Sequence, residues 1–286
     1  MSLSVSAEFV PEELLRGELP SGWSHPPQGK QAETFWNDRL VIQKRTAWSL
    51  PRWQAIHDRL ERVTDPEGML SCVPHRIQIM ENFFWVEFER QDLRSSPSRE
   101  NVSEWSAERK IRTFRESLPT LFATGDLLRS IPVAPEFLSF DPSRGQANRR
   151  YSHEYLRQAA AIFGTEILAP VPEKMPVVFC HGDALLKNMV LTPDGYRLID
   201  WEDTGPSFWG ADLAHAAAWM MLRLDIRDWP ELIETSENEI AGFLGISPEQ
   251  WRLLVFWILI GELVFWRTGE DLSPLHDAAA QLLVCD

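Results

Sequence analysis

The chain has 286 residues, 44% of them hydrophobic, with 42 acidic against 28 basic side chains and a formal net charge of −14. That length allows two lobes with a sizeable core, the acidic balance argues against a nucleic-acid partner, and three cysteines at spacings unlike any zinc site argue against a disulfide framework or a structural metal. The longest apolar run, Leu253 to Ile260, falls far short of the roughly 18 residues that span a bilayer, and Met1-Ser2-Leu3-Ser4 lacks the features of a signal peptide, so a cytoplasmic protein with no membrane partner is expected.

In chain order, Gly22-Trp23-Ser24-His25-Pro26-Pro27-Gln28-Gly29 sets two glycines around a stiff Pro-Pro pair. Residues 31 to 36 and 39 to 45 alternate as paired strands, with Asn37-Asp38 as the tight turn between them. Ser49 and Pro51 supply cap and first-turn chemistry for a helix to about Val63. Phe83-Phe84-Trp85-Val86-Glu87-Phe88 reads as a buried strand. Asn101 with Glu104 predicts a capping box for a helix to about Leu118, and Ser152 opens another through Phe163. Ser247-Pro248-Glu249-Gln250 combines cap, first-turn Pro and capping box to start a helix to about Trp266, ending near Gly269 and apolar nearly all round, as a core helix of a large lobe would be.

Between these helical stretches, Val177-Val178-Phe179-Cys180 leads into His181-Gly182-Asp183-Ala184-Leu185-Leu186-Lys187-Asn188, and a Pro193-Asp194-Gly195 turn leads to Ile199-Asp200-Trp201-Glu202. Two short apolar runs thus flank a polar loop. An Asp and an Asn in one loop can share a reaction centre while facing different atoms: Asp183 would accept the proton of an attacking hydroxyl. Asn188 and Asp200 offer hard oxygen ligands suited to Mg²⁺, which fills its other positions with water and phosphate oxygens. Cys180, beside this loop, reads as a small buried strand residue, not a nucleophile.

His181-Gly182-Asp183 with Asn188, then Asp200-Trp201-Glu202 and Asp212-Leu213-Ala214, closely resembles the aminoglycoside phosphotransferase and choline kinase family. Gly182 stands where the protein-kinase loop has Arg, and Trp-Glu follows Asp200 in place of Phe-Gly. The resemblance implies an α+β, two-lobed, protein-kinase-like fold with a small β-rich N-lobe (1–92) and a larger, mostly helical C-lobe (93–286). It implies an enzyme that transfers phosphate from ATP, with Mg²⁺, to the hydroxyl of a small molecule: an aminoglycoside or other antibiotic, a choline-like amino alcohol or a sugar. His181, Gly182 and Asp212 take loop-shaping roles. Lys44 is the candidate phosphate-binding lysine, with Arg45 or Lys30 as substitutes and Glu61 or Asp58 as its acidic partner. By order alone, Glu87, Phe88 and Glu89, running into Arg90-Gln91-Asp92, are placed at the adenine.

Thirteen tryptophans suit a cationic acceptor. Most sit in apolar helices, where packing explains them, and Trp201 and Trp209 are retained as cleft residues, with Glu202 and Asp203 to attract the cation. Two other readings stay open: a pseudokinase that binds a nucleotide or partner, favoured by the unusual Gly22 to Gly29 loop, and a nucleotidyl transferase on the same scaffold.

Overall fold

The computed structural model describes residues 9–25, 33–61, 63, 65, 68–69, 73–90, 99–133 and 175–266. The chain divides into two compact units, Met1–Ser95 with Val190–Glu202, and Ser96–Met189 with Asp203–Asp286. The expected helix at Ser152, the residues 26–29 of the early loop, Gln91-Asp92 and Gly269 lie outside the described residues.

In the first unit, β1 (Glu33–Trp36) and β2 (Leu40–Thr46) form the expected hairpin. Its turn is held by the Asn37 side chain, which accepts from the N–H groups of Arg39 and Leu40 at 2.8 Å each. β4 (Phe83–Glu89) lies between β2 and β3 (Arg76–Ile79), giving an antiparallel sheet in the order β1-β2-β4-β3. Alternation along the strands separates two faces. One face carries Ile42 and Trp85 against Val10 and Leu14, the latter on α1 (Glu12–Leu15). The other carries Phe84 and Val86 against Trp53 of α2 (Leu50–Leu60). Pro51 sits in the first turn of α2, but Ser49 does not cap it: its hydroxyl donates to the Thr46 carbonyl at 3.1 Å, and the helix stops at Leu60, short of Val63.

In the second unit, Asn101 is no cap, because it lies inside α3 (Arg99–Glu104). The cap is Ser106, whose side chain accepts from the Arg109 N–H at 3.2 Å to start α4 (Ala107–Arg129). α4 also runs past Leu118 through Pro119. The buried Leu118, Leu121 and Leu128 keep it helical where proline disfavours helix at the residue before it. α5 (Ala211–Met221), α6 (Trp229–Glu234), α7 (Glu237–Leu244) and α8 (Pro248–Trp266) follow. The reciprocal capping box of α8 forms as expected, with Ser247 N–H donating to Gln250 at 2.9 Å and Gln250 N–H to Ser247 at 3.3 Å. β5 (Val177–Cys180) pairs with β8 (Gly205–Phe208) in the second unit, while β6 (Met189–Thr192) and β7 (Gly195–Leu198) make a hairpin that, apart from Met189, belongs to the first. The β-rich first unit and helical second unit are those of a two-lobed kinase-like fold. Among the described residues no helix is long and apolar enough to cross a membrane.

Candidate active site

The loop after β5 is shaped by Asp212 in the first turn of α5. Its two carboxylate oxygens accept the backbone N–H groups of His181 (2.8 Å) and Gly182 (2.9 Å). Gly182 has φ +83°, and a Cβ there would lie 2.8 Å from the carbonyl carbon of Asp203 and closer still to its oxygen, so only glycine fits. The fully buried His181 ring accepts the Asp183 N–H through Nδ1 at 3.3 Å. This loop therefore has a fixed shape before any substrate arrives.

Asp183 is buried and unevenly satisfied. Its Oδ2 accepts from the Asn188 side-chain amide at 2.7 Å and from Lys187 Nζ at 3.0 Å. Its Oδ1 is buried with no hydrogen-bond donor among the described residues. A buried carboxylate oxygen without a donor is costly. Burial works to raise the Asp183 carboxyl, but the charges of His215 and Lys187, the Lys187 hydrogen bond and His181 outweigh it and hold the group below the ordinary carboxylate range. It therefore stays ionised and able to accept a proton at neutral pH.

Asn188 turns its amide nitrogen toward both the Asp183 carboxylate and the Asp183 carbonyl (2.9 Å), which directs its carbonyl oxygen elsewhere. That oxygen is a hard ligand of the kind Mg²⁺ takes. Asp200, in the first unit, is exposed and has φ +64°, the only non-glycine residue with positive φ among those described. Such conformations collect at functional sites. No cluster of three or more His, Cys, Asp or Glu able to hold a metal occurs among the described residues.

Several expected site residues sit elsewhere. Trp201 is 0% exposed, and its Nε1 donates to the Leu198 carbonyl at 3.0 Å, so it is core and not cleft. Trp209 is likewise buried, packed on Phe243 and under the Arg129 guanidinium. Lys44 pairs neither with Glu61 nor with Asp58, which lie beside His57. Its Nζ is 3.5 Å from Glu33 and 4.7 Å from the Phe83 ring centroid, on the sheet face away from α2. Arg45, on the α2 face, is the residue that reaches Glu202, at 2.6 Å, so the Glu202 carboxylate faces an internal cation instead of an acceptor. Asp203 contributes its carbonyl to the tight packing over Gly182. Glu87 is buried in a two-bond pair with Arg76 (2.7 and 2.5 Å), and its backbone has strand partners on both sides, Ile42 and Arg76. Phe88 and Glu89 pair with Val41 and Leu40, so the strand continues through the segment placed at the adenine. Cys180 is buried, its thiol pushed well up by burial, as suits a packing residue.

Two contributors escaped the sequence reading. Lys187 stands four residues after Asp183, a spacing that in a loop gives no warning of contact. His215 stands three after Asp212 on one helix and so shares its face; both His215 and Glu262 of α8 are buried, 3.3 Å apart. Lys187→Met should raise the Asp183 pKa. The acid limb of the kcat/KM profile, where the base form is lost as pH falls, should then move to higher pH. An unmoved limb, with the variant folded, would show that Lys187 does not govern this carboxylate.

A comparison with curated proteins gives no match. Solved structures with the same fold include aminoglycoside phosphotransferase APH(3'')-Id from Streptomyces rimosus (20% identity, TM-score 0.51, covering 89% of this chain and 97% of that one). They also include amicoumacin kinase hAmiN in complex with AMP-PNP, Ca²⁺ and Ami (9%, 0.53, 96% and 93%). A third is a thermostable mutant of aminoglycoside phosphotransferase APH(4)-Ia with ADP and hygromycin B (9%, 0.52, 96% and 96%). A sequence model described as "Phosphotransferase enzyme family" matches residues 82–243, more than half of the chain, and spans the loop built around Asp183. The chain belongs to the phosphotransferase enzyme family.

Proposed function

We propose that the enzyme moves the γ-phosphoryl group of ATP to a hydroxyl of a small, hydroxylated and cationic antibiotic of the aminoglycoside type. The observation that carries the chemistry is the Oδ1 of Asp183, without a donor among the described residues, in a loop clamped by Asp212. An acceptor O–H hydrogen-bonded to Oδ1 is aligned for in-line attack. As its oxygen bonds to the γ-phosphorus, the bond to the β-bridging oxygen breaks, ADP leaves with that electron pair, and the hydroxyl proton passes to Asp183. The Asn188 carbonyl and the Asp200 carboxylate are proposed as the protein's ligands for Mg²⁺. When bound, the ion would offset charge on the nucleotide phosphates.

The acceptor class is supported by family membership, by the hygromycin B bound to one relative of the same fold, and by the net charge of −14, which favours approach of a cation. A panel of aminoglycosides, other antibiotics, choline and sugars, each with ATP and Mg²⁺ and read by ADP release and product mass, tests the reading. Release coupled to an aminoglycoside that gains one phosphate supports it. Turnover of choline or sugars alone would overturn the acceptor class, and a product heavier by a nucleotide would overturn the reaction type.

A further inference from the structure

Arg45 is a tightly held cation of the first unit. Its Nε and Nη2 donate to the Gln43 side-chain oxygen at 3.1 and 2.8 Å, and its Nη1 donates to Glu202 at 2.6 Å. Its guanidinium lies 4.3 Å from the centroid of the Trp53 ring of α2. The side chain is 9% exposed, against 25% for Glu202. A guanidinium has five N–H groups in a rigid plane. Three are engaged by described residues, and among these one N–H remains on each Nη.

A structural ion pair needs no such arrangement, since a carboxylate can take two guanidinium N–H groups in a two-bond fork. Glu87 does so with the Nε and Nη2 of Arg76 in this same sheet. Glu202 instead touches one nitrogen only and leaves a donor on each Nη for another anion. It also stands two residues after Asp200, with the buried Trp201 between them bonded to Leu198. The segment that carries Asp200 thereby fixes where Arg45 is held.

We propose that Glu202 is the positioning carboxylate of a phosphate site in this unit, holding Arg45 so that its two remaining N–H groups take oxygens of the nucleotide's phosphates. The inference rests on the phosphotransferase reading above. Gln43 and Trp53 fix the guanidinium plane, and Glu202 fixes its position and tempers its charge. A planar, stacked fork of this kind is not replaceable by lysine.

The test is ATP affinity by calorimetry, with KM and kcat, on the full chain. Arg45→Lys keeps the charge but loses the fork and the stack, and ATP binding should weaken about tenfold or more, as loss of charge-assisted hydrogen bonds implies. Glu202→Ala frees the guanidinium and should raise the KM for ATP severalfold with a smaller change in kcat. Glu202→Gln, which still offers an oxygen to Nη1, should restore ATP affinity to the parent value or tighter. Loss of Tm in Glu202→Ala with unchanged ATP affinity would make the pair structural and overturn the proposal. So would a larger loss of affinity in Lys44→Met than in Arg45→Lys. If the unsubstituted protein binds neither ATP nor GTP, the phosphotransferase reading falls and this inference with it, whereas ATP binding that survives Arg45→Lys overturns the inference alone.

Discussion

Asp183→Asn should lower turnover by about 10²-fold or more, the scale of a positioned general base, while ATP affinity stays within a small factor of the parent. The carboxamide can still accept a hydroxyl's hydrogen bond through one oxygen, so acceptor binding is retained, but it cannot take the proton. The substitution also removes the anion that Lys187 and the Asn188 amide both face. Tm measured beside kcat therefore separates lost chemistry from a disturbed loop. A folded variant with full turnover would remove Asp183 from the reaction.

The second large effect is expected at Asp200. Asp200→Ala should abolish measurable turnover and weaken Mg-ATP binding, because an interaction with the metal and its phosphates amounts to several kcal/mol. Alanine also fits poorly at φ +64°, at a cost of about 1–2 kcal/mol, so Asp200→Asn is the cleaner variant: asparagine tolerates that conformation and lacks only the charge. Both variants should lose activity, the alanine one with the lower Tm. Parent-like turnover and metal dependence in Asp200→Asn would leave Asp200 a conformational role only.

The contact between Asp183 and Asn188 was legible in the sequence because both residue types stand in one loop at a short, fixed spacing. The capping box at Ser247 was legible for a similar reason, since donor and acceptor lie three residues apart. Asn101 met the same pattern and failed, because Ser106 offers Arg109 the same bond and α4 carries its buried leucines past Pro119. The β2 strand shows a different limit. Alternation says that Lys44 and Arg45 face opposite sides, but not which side holds α2. That depends on Trp53 and on a carboxylate 157 residues away. Trp201 and Trp209 are core residues because the neighbours of an exposed aspartate in sequence need not share its exposure. Trp201 turns into the core within one residue of the exposed Asp200.

The two bonds from the His181 and Gly182 amides to Asp212 also bear on how this enzyme loses activity on heating. Those amide hydrogens leave the carboxylate only when the start of α5 opens, so in hydrogen exchange they should be protected in step with the amides of α5 itself. Local fraying at the rim of the second unit would leave the shape around Asp183 intact. Activity should therefore persist through early, partial melting and vanish when the α5 amides begin to exchange.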